Sequence, residues 1–141
     1  MILLDANLLI YAINSEAPLH RNARTWLERV LSGSETISFP WMSLLAFIRV
    51  STNPIFPHPL PVDRAFDQVE RWLGQPTAMI VHPGPRHPRI LRELLLPLGA
   101  AGNLASDAHL AALAIEHGAE LCSADSDFAR FPGLMWTNPL A

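Results

Sequence analysis

The feature that most constrains this sequence is the alternation of short apolar segments with longer segments of helical periodicity. Five short segments have the character of strands: "MILLD", "ETISF", "TAMIVHP", "AELCSAD" and "LMWTNPL". Stretches with apolar residues at helical spacing separate them, such as residues 17–32 with Leu19, Ala23, Trp26 and Val30. Strands that are apolar on both faces and joined by helices are typical of parallel sheets covered on both sides. The pattern therefore predicts an α/β fold with three layers and a central parallel sheet of four to five short strands.

Length and composition predict one globular domain over residues 1–141. Half of the 141 residues are apolar and 16% are charged, which is typical of a globular protein. No apolar run reaches the roughly 18 residues of a membrane span, and the first ten residues lack the basic residues of a signal peptide. The single cysteine, Cys122, has no internal partner for a disulfide. We expect a cytoplasmic protein without a membrane association.

The basic residues are all arginines: the chain has ten basic residues and no lysine. The formal charge of −3 argues against a broad surface that coats nucleic acid, but it does not exclude a local basic patch. Arginine presents a planar fork of donors that suits phosphate groups. A GC-rich genome would produce the same bias without a functional cause, so both explanations stay open.

Acidic residues follow two of the predicted strands and begin one helix. Asp5 ends the first strand, Asp125 and Asp127 follow the fourth, and Asp107 lies in the first turn of the helix before it. Active sites of parallel sheets lie at the carboxyl ends of the strands, so we expect these carboxylates to converge. Converging carboxylates repel one another unless protons or a cation neutralise them, and Mg²⁺ or Mn²⁺ prefers such oxygen ligands. The arrangement predicts a metal site that could activate water for a phosphoryl displacement.

Each of these residues also has a simpler structural explanation. Asp5 could cap the helix that follows it, and Asp107 could favour a helix N-terminus through the helix dipole. Asp125 and Asp127 could form a turn. Asn7 and Ser123, which flank the predicted site, could orient ligands or water, or serve as cap and turn residues.

Three segments resemble PIN-domain ribonucleases, and more narrowly the VapC toxins of type II toxin–antitoxin pairs. They are "LLDANLLIYA", "FIRVSTNP" and "SDAHLAALAIEHGAELCSADSDFARFPGL". The resemblance implies a PIN-like domain and a Mg²⁺-dependent endoribonuclease, with Mn²⁺ as an alternative ion, that cuts tRNA or ribosomal RNA. It also implies a small VapB-like antitoxin as partner. By motif position, Asp5, Asp107 and Asp125 match the catalytic acids of the family, and Asp127 is a further candidate metal ligand.

One position departs from the family pattern. The family usually carries a glutamate on the helix after the second strand, where this chain has Ala46, and no acid occurs between Glu35 and Asp63. A catalytically weak PIN-like module that binds RNA or protein is therefore the alternative function. Arg49, on the same helix, is a candidate contact for substrate phosphate, or equally a structural ion-pair partner. A phospho-acceptor domain is disfavoured because such domains use a lysine, and this chain has none.

The same helix is apolar almost all round. It carries Trp41, Met42, Leu45 and Phe47, which predict a homodimer or a patch covered by an antitoxin. The alternative is that these side chains only fill the core.

Overall fold

The computed structural model describes residues 1–141 and contains all the strands and helices that the sequence predicts. The strands are β1 (Ile2–Leu4), β2 (Ile37–Ser38), β3 (Ala78–Met79), β4 (Glu120–Cys122) and β5 (Trp136–Thr137). The helices are α1 (Ala6–Ile13), α2 (His20–Leu31), α3 (Trp41–Ser51), α4 (Val62–Leu73), α5 (His87–Leu95) and α6 (Leu104–His117). Two 3₁₀ segments, Leu96–Leu98 and Ser126–Arg130, follow α5 and β4.

The five strands form one parallel sheet in the order β3-β2-β1-β4-β5, with β1 at its centre. This confirms the predicted parallel sheet. The paired strands are shorter than the apolar segments of the sequence, and β2 shows the reason. The Phe39 amide still donates to the Met79 carbonyl at 2.9 Å, but Pro40 has no amide hydrogen with which to continue the ladder.

Two hydrophobic cores lie on opposite faces of the sheet and account for the three layers. Alternate residues of β1 point to opposite faces: Ile2 and Leu4 pack into the core formed with α1, α2, α3 and α4, and Leu3 packs into the core formed with α5 and α6. All three are buried. Both faces are covered, which is why the strands carry continuous apolar runs.

The proline-rich stretch "NPIFPHPLP" forms the irregular connection between α3 and α4. Phe56 is buried there, and the Leu60 amide donates to the Ser51 carbonyl at 2.8 Å, which holds the loop against the end of α3. None of the six α-helices combines the length and the apolar character needed to cross a lipid bilayer.

Candidate active site

The register of β1 against β4 brings the two strand ends together. Leu4 lies beside Cys122, so Asp5 and Ser123, the next residue of each strand, leave the sheet at adjacent points. The Asp5 amide donates to the Cys122 carbonyl at 3.1 Å and fixes this relation. A side-chain contact between residues 118 positions apart therefore follows from the strand pairing.

The Ser123 hydroxyl is the centre of the polar contacts at this edge. It donates to Asp5 Oδ2 at 2.7 Å, and it accepts from Asn7 Nδ2 at 3.0 Å and from the Asp125 amide at 3.0 Å. Asn7 also donates to Asp5 Oδ2 at 3.3 Å and accepts from the Ala124 amide. Ser123 is fully buried, so its hydroxyl has little freedom. The network ties Asp5 at the end of β1 to Asp125 beyond β4.

Three carboxylates meet next to this network. Asp107, Asp125 and Asp127 each place a carboxylate oxygen within 4.8 Å of the others. Asp107 comes from the first turn of α6, and Asp125 caps the 3₁₀ segment by accepting from the Asp127 amide at 2.9 Å. Asp5 is not a member of this trio. It lies beside the trio, close enough for its charge to act on Asp107.

The ionisation of these acids is perturbed as crowding predicts. Burial raises the pKa of Asp5, with a smaller upward contribution from the charge of Asp125, while hydrogen bonds from Ser123 and the Ala6 amide oppose the rise. Burial and the charges of Asp125, Asp5 and Asp127 raise the pKa of Asp107 to about 6. Without a cation, this edge of the sheet therefore disfavours a full set of negative charges.

The simpler explanations for two acids also have a structural basis. Asp5 is the N-cap of α1, and its Oδ1 accepts from the Ala6 amide at 2.7 Å. Asp125 is the turn-forming cap described above. In each residue Oδ1 makes the cap contact and Oδ2 takes no part in it, so a cap does not exclude a role in ligand binding.

Helix α3 contributes no acid to this edge. Ala46 is half-buried, and Ser43 on the preceding turn donates to the Leu4 carbonyl at 2.7 Å. Arg49 is exposed and makes no hydrogen bond or ion pair. The predicted alternative of a structural ion pair for Arg49 is therefore not seen, and its substrate contact stays a prediction.

Two features of the site were not predicted from the sequence. Ser43 reaches the end of β1 from α3, and Arg130 donates from Nη2 to Asp127 Oδ1 at 3.2 Å. The spacing of Asp127 and Arg130, three residues apart in "SDFAR", was the available signal for the second contact. His109, despite its closeness to Asp107 in sequence, lies elsewhere and contacts His87, with Nδ1 to Nε2 at 3.1 Å.

The donor set suits a hard divalent cation. The trio of carboxylates offers only oxygen atoms, and no histidine or cysteine belongs to it. Mg²⁺ and Mn²⁺ prefer such ligands, and Mg²⁺ keeps several waters when the protein supplies few. The raised pKa of Asp107 reports the charge that a cation would neutralise. These residues therefore fit a divalent-cation site.

Comparison with known proteins identifies the family. The family profile for the PIN domain matches residues 2–134. The chain belongs to the PIN-domain family. It is 46% identical over 142 residues to ribonuclease VapC37 of Mycobacterium tuberculosis, covering 100% of this chain and 99% of the relative. It is also 42% identical over 141 residues to ribonuclease VapC33 of the same species, covering 99% of each.

Solved structures share the fold of this PIN domain. The crystal structure of VapBC2 from Rickettsia felis, bound to a DNA fragment from their promoter, contains a chain with a TM-score of 0.71 and 24% identity, with 98% of each chain covered. A chain of VapBC-1 from nontypeable Haemophilus influenzae gives a TM-score of 0.71 at 17% identity over the full length of both. At these identities the similarity shows the fold.

Proposed function

We propose that this PIN domain is an endoribonuclease of the VapC type that hydrolyses phosphodiester bonds in RNA with the help of Mg²⁺ or Mn²⁺. The observation that carries the proposal is the oxygen-only trio of Asp107, Asp125 and Asp127. It lies at the carboxyl ends of the strands, in a chain whose relatives are named ribonucleases. The substrates we expect are tRNA or ribosomal RNA.

The roles of the residues follow from their contacts. Asp107, Asp125 and Asp127 would hold the cation, with Asp5 beside them. The cation, when bound, supplies positive charge for the phosphoryl displacement and acidifies water. Ser123 and Asn7 fix the orientation of the Asp5 carboxylate by donating to its Oδ2. Because Ser123 is fully buried, this orientation is set before substrate arrives.

The proposed function includes a protein partner, an antitoxin. The chains of similar fold come from VapBC complexes, and some of these complexes are bound to DNA. We infer that this toxin pairs with a small VapB-like antitoxin in the cytoplasm. A short reading frame beside the gene, encoding a DNA-binding antitoxin, would support this inference.

The test of the activity is cleavage of total tRNA and ribosomal RNA by the purified protein. We expect discrete products in Mg²⁺ or Mn²⁺ and none in excess chelator. The alternative, a catalytically weak module that binds RNA or protein, rests on Ala46, because α3 brings no carboxylate to the site. RNA binding without discrete products in either ion would favour that alternative.

Substitution of Ala46 by glutamate is expected to strengthen metal binding. Ala46 is half-buried on α3, where the family usually has glutamate. A carboxylate added from this helix could supply a further oxygen ligand to the bound cation. We expect Ala46→Glu to tighten Mn²⁺ binding several-fold in titration calorimetry. Ala46→Gln has a similar size without the charge and is the control. Equal affinities of parent, Glu and Gln variants would show that the α3 position does not reach the ion.

The apolar surface of α3 predicts a homodimer. Trp41 and Leu45, one turn apart, are 41% and 59% exposed, whereas Phe47 is fully buried and fills the core. Trp41→Ser combined with Leu45→Ser should convert a dimer to a monomer in light scattering at micromolar concentration. Ile55→Ser is the control, because Ile55 is 89% exposed in the loop after α3. A monomeric parent protein would contradict the prediction.

A further inference from the structure

Arg130 is the one arginine that contacts an acid of the trio. Its Nη2 donates to Asp127 Oδ1 at 3.2 Å, and Asp127 has a carboxylate oxygen within 4.8 Å of those of Asp107 and Asp125. The positive charge of Arg130 also counteracts the rise in the pKa of Asp107. A guanidinium therefore stands at the border of the proposed metal site.

The backbone around Arg130 is fixed on both sides. Arg130 ends the 3₁₀ segment that Asp125 caps. Phe128 is fully buried and Phe131 is nearly so, and their ring centroids lie 6.1 Å apart in the core beneath. Two buried rings within three residues leave the segment little freedom. The backbone that carries the Arg130 side chain is thus held beside the acids.

The Arg130 side chain keeps donors free for a ligand. It is 44% exposed, and its contact with Asp127 is its only hydrogen bond. A guanidinium has five N–H donors, so four of them have no hydrogen-bond partner within the protein. An exposed ion pair three residues apart contributes little to stability. Stabilisation of the fold is therefore a weak explanation for this arginine.

The charge of an RNA substrate suggests a role for Arg130. A phosphodiester that approaches Asp5, Asp107, Asp125 and Asp127 meets up to four negative charges. One divalent cation neutralises two of them. A further cation beside the trio would reduce the remaining repulsion, and the arginine fork matches the spacing of two phosphate oxygens.

We propose that Arg130 binds a phosphate group of the RNA strand at the acid trio, and that Asp127 is the positioning residue that aims it. The inference rests on the proposed ribonuclease function and adds a substrate contact to it. Asp127 can serve both purposes, because Oδ1 accepts from Arg130 and Oδ2 makes no hydrogen bond within the protein.

The kinetic test compares Arg130→Gln and Arg130→Lys with the parent on a single-stranded oligoribonucleotide that contains a mapped cleavage site. We expect KM to rise about tenfold in the Gln variant, as for loss of one charge-assisted hydrogen bond, with kcat changed less than threefold. Lysine should restore part of the loss. Arg29→Gln removes an exposed charge from α2, on the opposite face of the sheet, and should leave KM within twofold.

A second measurement separates this inference from the ribonuclease proposal. RNA binding followed by fluorescence anisotropy in excess chelator needs neither metal nor cleavage. Arg130→Gln should bind RNA more weakly, and the slope of log K against log salt should shrink by about 0.7, the value for one phosphate contact on a single strand. The Mn²⁺ affinity of Arg130→Gln, measured by calorimetry, and its melting temperature should not fall below those of the parent.

Equal RNA affinity and salt dependence in parent and Arg130→Gln would overturn the inference. A loss of Mn²⁺ binding or of folding in the variant would also overturn it, since Arg130 would then serve the metal site or the fold. If the parent cleaves no RNA, the ribonuclease proposal fails, and the binding comparison still decides the role of Arg130.

Discussion

Substitution of Asp107 by asparagine is expected to stabilise the metal-free protein while it abolishes RNA cleavage. Burial and three neighbouring carboxylates raise the pKa of Asp107 to about 6, so its ionised form costs folding free energy at neutral pH. Asp107 makes no side-chain hydrogen bond that asparagine would lose. Because the carboxyl is partly exposed, we expect a gain of only roughly 1 kcal/mol, or about 3 °C in melting temperature.

Cleavage should fall by at least about 100-fold, because a charged ligand contributes several kcal/mol to charge stabilisation at a metal site. Thermal melts in chelator and initial rates in Mg²⁺ measure the two effects. Asp67→Asn, an exposed acid on α4, is the control and should change neither. A variant that cleaves at the parent rate would remove Asp107 from the site.

The pH dependence of this stabilisation follows from the direction of the shift. The pKa of Asp107 in the folded protein lies above its usual value near 4, so between those values the folded state binds more protons than the unfolded state. The contribution of Asp107 to stability is therefore complete below about pH 4 and is lost as the pH rises to about 6. The difference in stability between Asp107→Asn and the metal-free parent should grow over this interval and stay constant above it.

Much of the fold was predictable because its causes are local. Short apolar runs, helical spacing and the proline-rich loop are properties of neighbouring residues, and each of the predicted elements forms. The placement of Asp5 beside Ser123 also follows from one general rule, that parallel strands end at the same edge of the sheet. The sequence therefore predicts which strand ends meet at the candidate site, as well as the strands and helices around it.

The remaining contacts depend on how the helices pack against the sheet and against one another, which the spacing of residues in the sequence does not determine. Ser43 meets the Leu4 carbonyl only because α3 crosses the end of β1. His87 contacts His109 only because α5 packs against α6 at one particular rotation. The trio contains Asp127 and leaves Asp5 at its border, because the 3₁₀ segment turns the Asp127 carboxylate back toward α6. The prediction that Asp5 shares the cation stays open to experiment.

Two substitutions of Asp5 separate its role in capping from its role in the proposed chemistry. The Asp5 carboxylate accepts from the Ala6 amide through Oδ1 and from Ser123 and Asn7 through Oδ2. In Asp5→Asn, the amide oxygen can still cap α1, but Ser123 loses its charged acceptor. Burial raises the pKa of Asp5, so removal of the charge offsets that loss, and we expect melting close to that of the parent.

Asp5→Ala removes the cap as well, and it should be less stable than Asp5→Asn by about 1 kcal/mol. Both variants lack the charge, so the difference between them measures the cap together with the polar contact to Ser123 and Asn7 that alanine also removes. If Asp5 serves the metal site, both should cleave RNA at least about 100-fold more slowly than the parent, and both should bind Mn²⁺ more weakly. Parental cleavage and Mn²⁺ affinity in Asp5→Asn, together with the expected instability of Asp5→Ala, would reduce Asp5 to a helix cap and leave the chemistry to Asp107, Asp125 and Asp127.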